Sequence, residues 1–557
     1  MTYRLIFALA LFFLIFSCSK DQPLKNNDQP TEIIQGDNDV KRSITGLSAK
    51  RGLILNTESA TTGMVLFQPS ASTKTYLMNS NGEIVHQWSC ELNSMQSYLL
   101  ENGHLIRLER DIDFPTFAAG GQSGRIREYD WEGNQIWDFE LANEKELIHH
   151  DIEIMPNGNI LAISYDAKTK EEAIEAGMNP EYVPNAGVWP DKIIEIKPTG
   201  AEGGKIVWEW SIWDHLVQDF DEAKNNFGVI ADHPRKININ IHDESQPPLT
   251  DEQLVHMKKL GFVTSNATLD NRGSDITHCN AVAYNADLDQ IVISSPHYSE
   301  IFIIDHSTST EQAKGSTGGR WGHGGDLLYR YGNSQNYARG QKEDRKLFGQ
   351  HDVKWIPKGF PGEGHLTVFN NDIENPDNKM PSIFPELMNP YQQDPQISVE
   401  NFGNYSAIFE LAPETDENGS YVLPETGSFG PSEPVWSYMA PDKYSFYSPF
   451  VSGAHRLKNG NTYITSGAKG RFFEITSSGE IVWEYWNPYM DNYKLPDGSP
   501  AQPVGSFMYA QFRSTHFMPD YPAFEGKDLS PISPQPEPFV YVPPPPPPPQ
   551  SAQDTTH

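Results

Sequence analysis

Cysteine is almost missing from this sequence, with three residues in 557, so no disulfide framework holds the fold together and packing has to do so. Positive charge is scarce as well. Lys and Arg number 42 against 74 Asp and Glu, a net charge of −32 with histidine neutral. A surface of that sign repels phosphate backbones and anionic headgroups within a Debye length, which argues against nucleic acid as a partner. The apolar run from Leu5 to Phe16 is too short to span a bilayer as a helix. What the chain does have is aromatic residues, 11% of the total with 12 Trp among them. That composition builds cores and excludes disorder throughout.

The two ends are not fold. Residues 1–18 read as a signal segment, with Arg4 ahead of the short apolar run and Ser17-Cys18-Ser19 after it. This resembles a bacterial lipoprotein cleavage box with Cys18 as the acylated residue; an ordinary secretory signal with an incidental cysteine stays open. The expected location is therefore outside the cytoplasm, tied to a bacterial membrane through the lipid alone, periplasmic or facing the surface. Residues 19–50 read as a polar tether. Residues 530–557, with prolines from Pro543 to Pro549, read as a disordered proline-rich tail.

Between them, residues 51–529 carry an internal repeat. Six apolar-alternating segments end in aromatic residues: Ile84 to Trp88, Ile136 to Phe139, Ile206 to Trp210, Leu327 to Tyr331, Val435 to Tyr438 and Ile481 to Tyr485. Period-two alternation with Trp and β-branched residues is half-buried strand. Hairpins with Asn-Gly turns stand before three of these segments, at Asn102-Gly103, Asn157-Gly158 and Asn459-Gly460. Four antiparallel strands repeated six times predict an all-β, six-bladed β-propeller. The spacing is uneven, 49 residues from Trp88 to Trp137 but 121 from Trp208 to Tyr329, so loops are inserted. A strand candidate within 507–516 is expected to pair with Met64 to Phe67, closing one blade from both chain ends.

Aligned on their turns, the innermost strands carry His150, His278 and His351 at the same offset, seven residues before Asn157, Asn285 and Lys358. Innermost strands line a propeller's channel, so the register predicts a histidine cluster near the axis, with His149 and Asn280 as companions. Asp151 and Asp352 read as inter-blade hydrogen-bond acceptors, and His455, out of register, as structural. Cys90 and Cys279 are expected to be free thiols.

The run His149-His150-Asp151, the motif His278-Cys279-Asn280 with Gln290 to Ser295 behind it, Gly318 to Asn333, and Gln350-His351-Asp352 resemble the bacterial arylsulfate sulfotransferase family over roughly residues 60 to 525. The resemblance implies a propeller that transfers a sulfuryl group from an aryl sulfate to a phenol without a nucleotide donor or other cofactor. It places a transient sulfohistidine on His351, with His278, Asn280 and His149 or His150 holding sulfuryl oxygens and handling the phenol proton. Its partners would be small aryl sulfates and phenols, with no metal, and a homo-oligomer is compatible with it.

One position departs from the family pattern. An arginine is expected after Ser294-Ser295, and Pro296 stands there. His297, Arg320, Arg471 and Arg513 are the candidates to supply the missing positive charge. Tyr165 and Trp189, read as loop residues, are candidates for stacking a phenol, and the insertion 211–272, with a helical spacing between Asp251 and Leu260, is a candidate lid. Two other readings stay open at this point: a metal-binding propeller, since convergent histidines also build metal sites, and a lipoprotein that binds a ligand without catalysis.

Overall fold

The computed structural model describes residues 41–43, 46–70, 72–111, 116–241, 250–251, 254–255, 267–271, 273–373, 404–490 and 508–540. The signal segment with Cys18, most of the tether, most of Asp251 to Leu260 and the run Pro543 to Pro549 lie outside them. Six antiparallel sheets, five of four strands and one of five, form the blades of a propeller. Among the described residues no helix is long and apolar enough to cross a membrane.

The six aromatic segments are the fourth strands of the six blades, counted outward from the channel: Ile84–Ser89, Gln135–Glu140, Gly204–Ser211, Tyr329–Tyr331, Trp436–Tyr438 and Ile481–Trp486. The reason for the repeat is visible in their polar atoms. Each of these strands sends at least one aromatic donor into the connection between the third and fourth strands of the next blade, and Gly204–Ser211 sends a second, Trp210 Nε1 to Gly325 O at 2.7 Å. Trp88 Nε1 donates to the Asp130 carbonyl, Trp137 to Gly203, Trp208 to Thr308 Oγ1, Trp436 to Ser477 and Trp483 to Ser80, at 2.9 to 3.2 Å. In the fourth blade Tyr329 substitutes, its hydroxyl donating to Gly430 O at 2.7 Å. A large ring fills the inter-blade gap and its single polar group is satisfied across it, the condition for burying Trp or Tyr cheaply.

Closure uses both chain ends. Ser514–Phe517 is the innermost strand of the first blade and pairs with Met64–Phe67, Phe67 opposite Ser514 and Met64 opposite Phe517. Gly52–Asn56 adds a fifth, outer strand to the last blade against Ile481–Trp486. The folded part is wider than the expected 51–529. Arg42 pairs with Asp442 and Leu47 is buried, so the end of the tether packs on the last blade. Residues 530–540, assigned above to the tail, run along the rim: Gln535 brackets the backbone of Ile84 by accepting from its N–H and donating to its carbonyl, and Phe539 N–H donates to Pro488 O. An outer-strand edge with unpaired backbone groups recruits them.

The innermost strands of blades three to six are Glu146–Ile154, Ala281–Asn285, His351–Trp355 and Gly453–Arg456. Their channel ends are irregular. Pairing breaks between Ile148 and Ile152 and between His351 and Lys354, and His150, His278, Asp352, Val451 and Ser452 all have positive φ. Left-handed non-glycine residues cost about 1–3 kcal/mol each and concentrate where geometry serves a site. These bulges re-aim the histidines.

Candidate active site

His150 and His278 meet edge to face with ring centroids 4.5 Å apart, and His297 stacks on His278 with centroids 4.7 Å apart. His351 borders the same space, its charge felt by His150. The register argument thus brought three innermost strands to one place. Room for His150 depends on Gly121: a Cβ there would lie 2.1 to 2.3 Å from three ring atoms of His150.

Each of the three histidines is held at Nδ1 by a different kind of partner. His351 Nδ1 lies 2.9 Å from Asn371 Oδ1 and 3.0 Å from Gly349 O, so it donates there and the lone pair sits on Nε2, where the Val451 N–H donates to it at 3.2 Å. Asn371 in turn donates through Nδ2 to Ser448 O and Val451 O. His278 Nδ1 lies 2.5 Å from Asp275 Oδ2. His150 Nδ1 lies 2.7 Å from Nδ1 of His149, whose Nε2 is 2.8 Å from Asp191 Oδ1. His149 is fully buried, as is Asn280. Asn280 donates through Nδ2 to Gln350 O and thereby ties the fourth blade to the strand bearing His351. Both act behind the channel wall.

Burial pushes the His150 imidazole well below its ordinary value, helped by His278, His149, His351 and Arg513. Burial also lowers His351, to about 3, although the Asn371 hydrogen bond opposes it. Both are neutral at pH 7. Burial alone would raise the Asp275 carboxyl, but His278 against it brings it below the ordinary range.

Of the arginines considered for the missing charge, Arg513 is the one that reaches. It donates to Asp151 Oδ2 at 2.6 Å and to Asn280 O at 2.7 Å, and its Nε is 3.1 Å from Asp352 Oδ1. It lies near enough to His150 and His351 to lower both. Asp151 and Asp352 are inter-blade acceptors as expected, taking Val282 N–H and Ala454 N–H from the next blades. Arg320 is not at the site. It is exposed and donates to Asp287 O, in the hairpin at the far end of the strand that His278 precedes. Arg471 pairs with Glu484 within the last blade.

The stacking role expected of Tyr165 and Trp189 is corrected by burial. Tyr165 is on the strand Ile160–Asp166, not in a loop, and both rings are at most 1% exposed, packed with Phe117. Tyr165 instead lies parallel to His149 at 3.7 Å, with its hydroxyl donating to Asp275 Oδ2 at 3.0 Å. His297 is exposed, and its Nδ1 lies 2.8 Å from Asp275 O. Sequence reasoning missed Asp191, Asp275, Asn371 and Gly121. Only Asp275, three residues before His278, and the pair Gly120-Gly121 left a local signal. Cys90 and Cys279 are free thiols. Among the described residues no group of three or more His, Cys, Asp or Glu is arranged to hold a metal ion.

A family model described as Arylsulfotransferase (ASST) matches residues 47–410, a span that contains all three channel histidines. No curated protein matches the chain. Among solved structures, a protein from Bacteroides caccae is similar at 11% identity and a TM-score of 0.36, covering 76% of this chain and 93% of its own. A Lactobacillus plantarum protein is similar at 8% identity and a TM-score of 0.35, covering 82% and 99%. A protein described as a 6-phosphogluconolactonase from Bacteroides fragilis is similar at 9% identity and a TM-score of 0.32, covering 83% and 99%. Likeness at this level says nothing about activity.

Proposed function

The chain belongs to the arylsulfotransferase family, and on that premise we propose that it moves a sulfuryl group from an aryl sulfate to a phenol by way of a sulfohistidine at His351. The observation that carries this reading is the convergence of three imidazoles, each fixed at Nδ1 by its own partner. Such fixing keeps the lone pair of His351 on Nε2, where a nucleophile needs it.

In this reading Nε2 of His351 forms a bond to sulfur as the bond from sulfur to the aryl oxygen breaks. The Nδ1–H of His351 stays on Asn371, so the adduct is a sulfonated imidazolium, a good donor for the second half of the cycle. The Val451 N–H now facing Nε2 turns to a sulfuryl oxygen, and Arg513 supplies the field that Pro296 does not. His278, backed by Asp275, and His297 bind the remaining oxygens. His150 exchanges the proton of the aryl oxygen. We also propose that the protein is exported and held to a bacterial membrane by an acylated Cys18.

The test is turnover of phenyl sulfate with phenol or a substituted phenol as acceptor. Ping-pong kinetics and a radiolabelled sulfuryl group trapped on the protein without acceptor are expected, both lost in His351→Ala. Intersecting initial-rate lines together with no trapped label overturn the sulfohistidine.

A further inference from the structure

His149 and His150 are consecutive, yet both point to one line of hydrogen bonds because the left-handed turn at His150 (φ 58°) breaks the alternation of the strand. The line runs from the channel inward: His150 Nδ1 to His149 Nδ1 at 2.7 Å, then His149 Nε2 to Asp191 Oδ1 at 2.8 Å. Asp191 is sealed from solvent at the start of Asp191–Pro198, and its other oxygen accepts from Thr277 Oγ1 and from the Cys279 N–H, each at 2.6 Å. Tyr165 stacks on His149 and ties to Asp275, which also lies near enough to His149 to feel its charge. The groups facing His150 are of the opposite kind: His278, His351 and Arg513.

Two nitrogens that face each other at hydrogen-bond distance can share only one proton. A positive charge left on His150 would stand against Arg513 and two imidazoles; on His149 it stands against a buried carboxylate. We propose that His149, held by the Asp191 carboxylate, is the seat of the proton that His150 exchanges with the aryl oxygen, so that the channel histidine itself stays neutral. This rests on the sulfuryl-transfer reading.

The steps balance. The proposed cycle starts with hydrogens on both ring nitrogens of His149, Nε2 against Asp191 and Nδ1 against His150, and with the hydrogen of His150 on Nε2. As Nε2 of His351 forms its bond to sulfur, the electron pair of the breaking bond leaves with the aryl oxygen. That oxygen takes the hydrogen from His150 Nε2, and the Nδ1 hydrogen of His149 passes to His150 Nδ1. Phenol departs, leaving His149 neutral and Asp191 still a carboxylate. The acceptor phenol then attacks sulfur, gives its proton to His150 Nε2, and the second hop runs back. No outside acid or base is consumed over a cycle. His149 and Asp191 touch no substrate and are positioning residues.

The experiment uses the full chain with two donors, phenyl sulfate, whose phenolate needs a proton to leave, and 4-nitrophenyl sulfate, whose anion leaves without one. General acid help is worth about 10² to 10⁴-fold. Asp191→Asn is expected to slow the donor half-reaction by at least about tenfold with phenyl sulfate and by less than about threefold with 4-nitrophenyl sulfate. An equal loss with both donors, in a variant with wild-type circular dichroism, overturns the relay. Because Asp191 also anchors Thr277 and Cys279, a second measurement uses the wild-type protein: a proton inventory for phenyl sulfate in mixed light and heavy water. A curved inventory, two hydrogens moving together, supports the relay; a linear one overturns it. A wild-type protein that turns over neither sulfate fails the proposed function itself, a different result from either of these.

Discussion

Arg513 Nη1 donates to Asp151 across 2.6 Å, joining the start of the closing strand to the third blade. The same guanidinium faces Asp352 of the fifth blade, so one side chain neutralises two buried carboxylates beneath the histidines. Arg513→Met leaves Asp151 without its cation and Asp352 with Lys354 alone, at a cost of about 3–5 kcal/mol. Turnover should be lost as well. Unpaired buried carboxylates prefer their protons, so the deficit should shrink as pH falls toward 4. Urea midpoints at pH 7 and pH 5 for both proteins check the sign: a deficit that grows on acidification contradicts it.

Gly121→Ala tests the floor under His150. The glycine has φ +74° and any Cβ there runs into the imidazole. The ring must shift by about an ångström, a displacement that can cost on the order of 10²-fold in rate. Stability should fall by only about 1–2 kcal/mol, the size of a left-handed penalty for alanine. Steady-state kcat and the melting temperature, measured on the same preparation, separate the two effects. Unchanged kcat would mean that His150 has no part in the chemistry.

Asn371 gives His351 a neutral acceptor where His278 has a carboxylate. Asn371→Asp puts a negative charge behind the nucleophile and removes the two hydrogen bonds that hold the loop at Ser448 and Val451. The sulfonated adduct should then persist longer, with transfer to the acceptor slowed about 10-fold or more relative to formation. Quench-flow trapping of labelled protein shows this directly: the variant should accumulate more label than wild type during turnover.

Acid should unfold the protein early. His351 and His455 are held at about 3, and His150 also well below its ordinary value, chiefly by burial. The unfolded chain binds protons at these residues near ~6.5 while the folded chain does not, so stability is full above that pH and falls as pH drops toward 3. Each group contributes a slope of up to about 1.4 kcal/mol per pH unit. His455→Gln should flatten the dependence of the urea midpoint between pH 6.5 and 4 by about one proton, without the loss of turnover expected at His351.

The blades were legible because their signal is local. An aromatic in the fourth strand of each blade and a turn before it are properties of short segments, and the inter-blade hydrogen bonds of Trp88, Trp137, Trp208, Tyr329, Trp436 and Trp483 explain why the aromatic recurs. The channel histidines were legible by register, since equivalent positions on innermost strands must converge. Their partners were not. Asp191 lies 42 residues from His149 in the chain, and it starts the third strand of that blade, where a carboxylate reads as an ordinary surface residue. Asn371 reaches His351 across a hairpin whose length hides the pairing. Tyr165 and Trp189 were misplaced for a related reason: an aromatic ring beside a site looks the same in sequence whether it faces the ligand or, as Tyr165 does, the back of a histidine.

The location of Arg513 also orders events in time. Polypeptides emerge amino end first, and domains fold as their residues become available. A nascent chain that has reached residue 512 already contains every channel histidine, with its partners, yet lacks both the cation beneath them and the strand Ser514–Phe517 that seals the first blade. Synthesis has to run past that strand before the histidines have anything to work with, so a stalled or trimmed product is inert however many blades it has made.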